Sequence, residues 1–291
     1  MVTNKQEYFI TQKPKSTFLQ QYIAYYYFHT CKNHNLKQQY IYYPHYKNAL
    51  SIYKNSTIKC QDNNAWISPS LSKRYSYAYE SIPQTFQRVF QQAPFDKIAI
   101  AFQALGINYF IKEPLSKIIS QFPKQSFSYF NPSFTSSLDL IYSTENINQK
   151  VALLDEYFLS QYTEFGEQRL VQAVALLLDT TAKYSVSEIA KLLTIDRKTL
   201  FRIFKKHLAC SVKDYMHVVR FRQALDYYQL ATQKPLLTNL AYQNNFYDQA
   251  ELINHFKRIT GCNPSKIFQS IEPLGTEDIF WAISPSIKDN F

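Results

Sequence analysis

The chain has 291 residues, with 32 lysines and arginines against 22 aspartates and glutamates, a formal net charge of +10. This length is typical of two domains of roughly 150 residues each, and a 46% hydrophobic composition provides enough apolar material for packed cores. Its four glycines are never closer than 14 positions, which excludes the GxGxxG dinucleotide loop, the glycine-rich phosphate loop and the GxSxG nucleophile elbow. Four cysteines without a CxxC pair argue against a zinc ribbon and a disulfide scaffold.

The positive charge is concentrated in one part of the chain. Residues 183–270 carry 14 basic and 6 acidic side chains, a balance of +8, whereas the tail from residue 271 carries 1 and 4. This asymmetry indicates either a polyanion partner for 183–270 or a basic solvated face without a partner. The first 15 residues lack the apolar core of a secretory signal, and the longest apolar stretch is far too short for a membrane span, so we expect a cytoplasmic protein.

The N-terminal half has the pattern of β-strands. Short aromatic or β-branched runs alternate with polar turn clusters, at 22–28, 40–43, 49–53, 65–67 and 97–102. Such a series predicts a sandwich or barrel. His29, His34 and His45 lack the H-x-H spacing of a metal-binding cupin, so neither a metal nor a cofactor is expected. The aromatic stripe at 25–28 is compatible with a ligand pocket or with core packing.

Helical periodicity replaces this pattern near residue 145. Apolar residues recur at helical spacing over 148–162 and 167–184. The amphipathic segment 148–162 would either pair with its copy in a dimer or pack against its own domain. From there to about residue 270 the chain is predicted to be entirely helical.

The helical part contains an internal repeat. Asp196, Leu200, Phe204 and Lys205 recur 52 positions later as Asp248, Leu252, Phe256 and Lys257. In each copy a short helix, a turn and a second helix that begins at the Asp form a helix-turn-helix, at about 186–207 and 236–259. The helix predicted between them, 212–231, is roughly 30 Å long, close to the distance of about 34 Å between successive major grooves.

These residues resemble the AraC/XylS family of bacterial transcription regulators over about 168–270. The matching positions are Ile189-Ala190, Leu193, Leu200, Arg202, Phe204-Lys205, Tyr215, Arg220, Ala224, Leu240-Ala241, Phe246, Asp248-Gln249, Phe256-Lys257, Gly261 and Pro264. The family's turn glycines are replaced by Thr194 and Asn245, and Thr tolerates a left-handed conformation poorly. In the second recognition helix, Asn254 replaces the usual Arg, and Glu251 adds a negative charge to a face expected to meet phosphates.

The resemblance also implies the residues that contact DNA. The expected base contacts are Lys198, Phe201, Arg202, Gln249 and Asn254, and the expected phosphate contacts are Lys205, Lys206, Lys257 and Arg258. For Arg220 and Arg222 on the linker helix two roles remain open: contact with DNA, or, as the alternative interpretation, pairing with acidic residues between subdomains. His207 and His255 are expected on solvated helix faces, and Cys210 and Cys262 as buried small residues.

Together these observations predict an α+β protein of two domains. A β-rich, barrel-like sensing or dimerisation domain (1–145) leads through a helical linker (146–167) to a double helix-turn-helix DNA-binding domain (168–270) and a tail (271–291). The predicted function is sequence-specific transcription regulation at double-stranded promoter or operator DNA, modulated by a small-molecule effector, with RNA polymerase and a second copy of the chain as further partners. Two alternatives remain: an enzyme fused to a DNA-binding module, either cysteine-based through Cys31 or Cys60 or cupin-like, and a non-specific architectural DNA binder.

Overall fold

A computed structural model describes residues 3–4, 7–80, 85–121, 127, 129–130 and 133–284. Within these described ranges, the N-terminal part contains ten strands. They are β1 (Thr3–Asn4), β2 (Glu7–Gln12), β3 (Ile23–Cys31), β4 (Lys37–Tyr42), β5 (Asn48–Lys54), β6 (Ser56–Gln61), β7 (Asn64–Pro69), β8 (Tyr75–Glu80), β9 (Gln87–Gln92) and β10 (Phe95–Phe102). All the strand segments expected from the aromatic and β-branched runs overlap these elements.

The strands form two facing six-stranded sheets that do not close into a barrel. The first sheet has the order β1-β2-β3-β10-β5-β8 and is antiparallel throughout. The second contains β4-β9-β7-β6, in which β7 and β9 run parallel, and is completed by two strands from the C-terminal end of the chain. Aromatic side chains from both sheets, such as Tyr27 and Tyr40, pack together in the space between them.

The opposite face of the first sheet is covered by helices. These are α1 (Leu115–Gln121), α2 (Ser133–Ser143) and α3 (Ile147–Gln161). Helices therefore begin earlier than the expected change near residue 145. In α2 the four buried residues Phe134, Leu138, Ile141 and Tyr142 have helical spacing, and their burial against the sheet outweighs the poor helix propensity of the intervening Ser and Thr residues.

The apolar face of α3 is buried in its own domain, which decides between the two alternatives for this segment. Val151, Leu154 and Phe158 lie in the core beneath the first sheet. This face is therefore not available for pairing with a second copy.

The C-terminal part is helical up to residue 270. Its helices are α4 (Gln168–Leu178), α5 (Val186–Leu192), α6 (Arg197–Leu208), α7 (Val212–Leu230), α8 (Leu237–Gln243), α9 (Gln249–Thr260) and α10 (Pro264–Ser270). We call α5–α6 the first reading unit, α8–α9 the second reading unit and α7 the linker helix. Within the described ranges, no helix is both long and apolar enough to cross a membrane.

The segment after α10 returns to the N-terminal part. Strands β11 (Glu272–Leu274) and β12 (Ile279–Ser284) form a hairpin, and β12 pairs antiparallel with β4. Trp281 on β12 stacks on Tyr40 with ring centroids 4.0 Å apart and an interplanar angle of 8°. We call β11–β12 the C-terminal hairpin. It joins the helical part to the sheets at a second point in the sequence.

Candidate nucleic-acid interface

Side-chain caps mark the N-terminus of each helix of the first reading unit. The hydroxyl of Ser185 accepts from the amide of Glu188 at 3.2 Å while the Glu188 carboxylate accepts from the amide of Ser185 at 2.7 Å, a complete capping box at the start of α5. Asp196 caps α6 by accepting from the Thr199 amide at 2.7 Å. The cap at Asp196 agrees with the predicted start of the second helix, and it fixes the first residue of the recognition helix.

Both turns adopt the left-handed conformation despite lacking glycine. Thr194 has φ +54° and Asn245 has φ +59°. In each turn the following amide closes back on the first helix: Ile195 N–H donates to the Ala190 carbonyl at 3.0 Å, and Phe246 N–H to Ala241 at 2.9 Å. This six-residue closure is the Schellman pattern, in which glycine normally occupies the left-handed position. The turns are therefore wound alike, and Thr194 carries the greater steric cost because it is β-branched.

The predicted DNA-contact side chains of α6 are exposed to solvent. This holds for Lys198, Phe201, Arg202, Lys205 and Lys206. Phe201 is 46% exposed, although it is a large apolar side chain on a helix. The Arg202 guanidinium donates to the Thr199 hydroxyl at 3.1 Å, which holds it near the start of the helix.

The predicted side chains of α9 are exposed as well: Gln249, Asn254, Lys257 and Arg258. The amide oxygen of Gln249 accepts from the Thr238 hydroxyl at 2.8 Å, a contact between the two helices of the second unit. All nine predicted site residues therefore lie on the accessible surface of the two second helices, while Leu200, Phe204, Leu252 and Phe256 are buried.

Glu251 does not present a free charge on this face. Its carboxylate accepts from Arg220 Nη1 at 3.1 Å and from the Tyr247 amide at 2.6 Å. Burial opposes its ionisation, but these hydrogen bonds outweigh burial and lower the pKa of the Glu251 carboxyl. The charge is thus largely committed to a contact inside the protein.

The two linker-helix arginines have different partners. Arg220 pairs with Glu251, as the alternative interpretation expects, and its guanidinium also lies 4.2 Å from the Phe246 ring centroid. Arg222 is buried and donates instead to the carbonyls of Tyr43 at 2.8 Å and Pro44 at 2.7 Å. It therefore joins α7 to the N-terminal sheets rather than pairing with an acidic residue of the other subdomain.

His255 is buried, which contradicts the expectation of a solvated helix face. Its Nε2 lies 2.9 Å from the carbonyl of His217, and burial is the main cause that lowers its pKa to about 3. The repeat itself contains the missed signal, because a shift of 52 positions maps His255 onto the buried Ile203. His207 is half-buried, and of the two predicted buried cysteines, Cys210 is buried while Cys262 is half-buried.

Three exposed side chains near the recognition helices were not among the sequence-predicted contacts. Arg197 is the first residue of α6, and Tyr242 and Tyr247 are 65% and 85% exposed beside the turn of the second unit. The caps provide the signal for Arg197, since the residues after an N-cap lie in the first turn, which enters the major groove in helix-turn-helix proteins.

Two adjoining cavities lie between the sheets. They have volumes of about 70 and 120 Å³, and both are lined by Tyr40, Tyr42 and Lys97. The Lys97 ammonium lies 4.9 Å from the Tyr27 ring centroid. The aromatic stripe of β3 thus contributes to a cavity wall as well as to the core.

Parts distant in sequence contribute polar atoms to these cavities. Arg222 of α7 and Asp278 of the C-terminal hairpin line the smaller cavity, and Ser51 lines the larger one. In each of these residues one buried polar atom, Arg222 Nη1, Asp278 Oδ1 or Ser51 Oγ, has no hydrogen-bond partner in the described part of the chain. Among the described residues, no group of three His, Cys, Asp or Glu is arranged to hold a metal ion.

Comparison with known proteins supports the assignment of the helical part. A family profile described as a helix-turn-helix domain matches residues 189–270. The chain is 26% identical over 204 residues to the Msm operon regulatory protein of Streptococcus mutans, covering 65% of this chain and 72% of that protein.

Solved structures are more distant. Apo ToxT from Vibrio cholerae is 12% identical, with 89% of this chain and 99% of that chain covered and a TM-score of 0.46. ToxT bound to an unsaturated fatty acid is 13% identical, with coverages of 80% and 94% and a TM-score of 0.43. The two capped reading units lie in the region that matches the helix-turn-helix profile, so the helical part of the chain is a double helix-turn-helix domain, the arrangement expected from the resemblance to AraC/XylS regulators.

Proposed function

We propose that the two reading units contact successive major grooves of a promoter or operator, with α6 and α9 as the recognition helices. The supporting observation is that all nine predicted contact residues are exposed on two helices of one repeated unit. The 19-residue linker helix between the units is about 28 Å long, which approaches the spacing of about 34 Å between successive grooves.

In this proposal the contacts divide by chemistry. Arg202 donates two hydrogen bonds to guanine, Gln249 and Asn254 suit adenine, Phe201 packs on a thymine methyl and Lys198 reaches a base edge. The cations further along the two helices, Lys205, Lys206, Lys257 and Arg258, neutralise phosphates, which adds affinity but no sequence preference.

A selection from random duplexes with purified full-length protein tests this division. Arg202→Ala is expected to relax base preference at one position of the selected site, with a loss of about 1–3 kcal/mol. Lys206→Ala is its matched control, because it is expected to weaken binding evenly across sequences and to reduce the salt dependence. Unchanged binding by both variants would refute the assignment of α6, and equal affinity of the wild type for all duplexes would favour the architectural alternative.

We further propose that a small-molecule effector occupies the space between the sheets. Support comes from the three buried polar atoms without partners on the walls of the two cavities, since such atoms ordinarily find a hydrogen-bond partner. Thermal unfolding in the presence of a panel of monosaccharides and of short-chain carboxylates tests this. One class is expected to raise the melting temperature of the wild type and not of Ser51→Val. Equal shifts for both proteins would contradict an effector in the larger cavity.

The protein is proposed to have no catalytic activity and to act in the cytoplasm, where the DNA is. Catalysis by Cys31 is disfavoured, because this residue is 1% exposed and burial raises the pKa of its thiol. The resemblance implies RNA polymerase and a second copy of the chain as partners. Sedimentation of the free protein and of its operator complex tests the second of these.

A further inference from the structure

The chain leaves the second reading unit and enters the N-terminal sheet almost at once. Helix α10 ends at Ser270 and strand β11 begins at Glu272, so a single residue separates them. That residue, Ile271, is itself buried in the core of the second unit. With so short a connection, α10 and the C-terminal hairpin have little freedom to move independently.

The C-terminal hairpin is held to the N-terminal part by contacts of several kinds. Besides the stacking of Trp281 on Tyr40, the Thr276 amide donates to the Thr11 hydroxyl at 2.9 Å, and the two threonine hydroxyls lie 2.9 Å apart. The hairpin turn lies so close to β2 that a Cβ at Gly275 would be only 2.6 Å from the side chain of Thr11.

The hairpin turn also carries a half-buried charge. The carboxylate of Asp278 accepts from His45 Nε2 at 3.1 Å and pairs with the Lys47 ammonium. Burial disfavours the ionised form, but these two partners outweigh burial and hold the pKa of the Asp278 carboxyl well below its usual range.

At its other end the C-terminal hairpin is joined to the second recognition helix through α10. Phe268 of α10 stacks on Tyr228 of the linker helix with centroids 3.7 Å apart, and it lies 5.5 Å from Phe256 of α9. Ile267 is buried beside them. The first reading unit contacts the N-terminal part at a different place: α1 packs on α6, and the core of the unit includes Leu105 and Phe165.

We propose that the C-terminal hairpin is an anchor that fixes the second reading unit, and not the first, against the N-terminal sheets. The anchor holds α9 in the position needed to bind one groove while α6 binds the next. Because Trp281 and Asp278 also line the smaller cavity, an occupant of that cavity acts on the second unit through this hairpin. The inference rests on the proposed reading of two grooves.

Trp281→Ala tests the anchor by removing the stacking on Tyr40. Hydrogen exchange of the full-length variant is expected to accelerate in 264–284 and in α8–α9, with α5–α6 unchanged. Affinity for an operator spanning two grooves is expected to fall at least about tenfold, while affinity for a duplex carrying only the first half-site stays constant. Glu272→Gln is the matched control, since Glu272 is exposed on β11 and its replacement should change neither measurement.

A covalent lock separates anchoring from a general loss of stability. In the Trp281→Ala background, Thr11→Cys with Thr276→Cys can form a disulfide between the positions whose hydroxyls now touch. Oxidation, which joins the two sulfurs and releases two electrons to added oxidised glutathione, is expected to restore two-groove binding, and dithiothreitol should abolish it again. Thr11→Cys alone is the control.

Three results would overturn the anchor: equal acceleration of exchange in both reading units, no change in either, or a lock that fails to restore binding. If the wild type itself protects only one groove in a footprint, the proposed two-groove reading fails. The exchange measurement still decides the anchoring of the second unit in that case.

Discussion

The guanidinium of Arg222 donates a hydrogen bond across the boundary between the linker helix and the sheets, 2.8 Å to the carbonyl of Tyr43. The ring of the same tyrosine lies 6.3 Å from that of Phe221, the preceding residue on α7. Burial lowers the pKa of Arg222, and a buried guanidinium is tolerated only where acceptors and opposite charges surround it. The contact therefore stabilises one arrangement of the linker helix relative to the N-terminal part.

Replacing Arg222 by Met should lower the free energy of unfolding by about 3 kcal/mol, because the carbonyls of Tyr43 and Pro44 lose their buried donors. Urea denaturation at neutral pH measures this loss. Arg169→Met serves as the control, since Arg169 is exposed on α4 and pairs only with Glu167 in the contacts described, and it should change stability little. Similar effects of the two substitutions would contradict a structural role for Arg222.

A second prediction concerns the strained turn of the first reading unit, at Thr194. Thr194→Gly should raise the free energy of unfolding by about 1 kcal/mol, because glycine adopts φ +54° without a steric penalty and the Thr194 side chain is exposed. Asn245→Gly is the matched substitution in the second turn, and it should have a smaller effect because Asn tolerates the left-handed region. Thermal and urea unfolding of both variants provide the comparison, and destabilisation by Thr194→Gly would show that the threonine is not strained.

The burial of His255 predicts an acid-labile second unit. Its pKa is lowered to about 3, against an unfolded value near 6.5. A lowered histidine pKa means that the unfolded chain binds more protons, so the stability due to neutral His255 is complete above pH 6.5 and declines as pH falls toward 3. Between pH 7 and pH 5 the loss should reach about 2 kcal/mol.

His255→Ile, which places there the residue type of the first unit, should remove the contribution of His255 to this pH dependence. His45 and His217, whose pKa values burial lowers to about 3 and about 4, should keep theirs. Its absolute stability at pH 7 depends also on the carbonyl of His217, which loses its donor. The informative quantity is therefore the slope of unfolding free energy against pH, measured for both proteins by urea denaturation. A variant with the slope of the wild type would mean that other groups cause the acid lability.

The helical part could be predicted in detail because its signals are local and occur twice. Caps such as Ser185 and Asp196 act within three residues, and the repeat of Leu200 and Phe204 as Leu252 and Phe256 defines which face of each recognition helix is buried. For His255 two signals in the sequence disagree, because its polarity suggests an exposed face whereas its register in the repeat predicts a buried one. The imidazole is buried because neighbouring helices enclose this position.

The C-terminal hairpin could not be predicted in the same way. Its strand β12 pairs with β4, and Trp281 lies opposite Tyr42 in the register, more than 200 positions away in sequence. Pro273 in β11 is an unfavourable strand residue, tolerated here because β11 is at the edge of the sheet. No signal in the local sequence distinguishes this segment from an irregular tail. Its strand partner, β4, comes from a distant part of the chain and is adjacent only in the completed sheet.

The pairing of Glu251 with Arg220 leads to a last prediction, concerning DNA affinity. Glu251→Gln removes one negative charge from the first turn of α9 and frees Arg220 from its ion pair, while the amide oxygen can still accept from Tyr247 N–H. Operator affinity should therefore rise about threefold to tenfold at low salt, and the gain should shrink between roughly 50 and 200 mM salt as screening increases. Fluorescence anisotropy with a labelled operator measures both quantities. Glu156→Gln is the matched control because it changes the net charge equally from an exposed position on α3; an equal gain in that variant would assign the effect to net charge rather than to the charge beside the recognition helix.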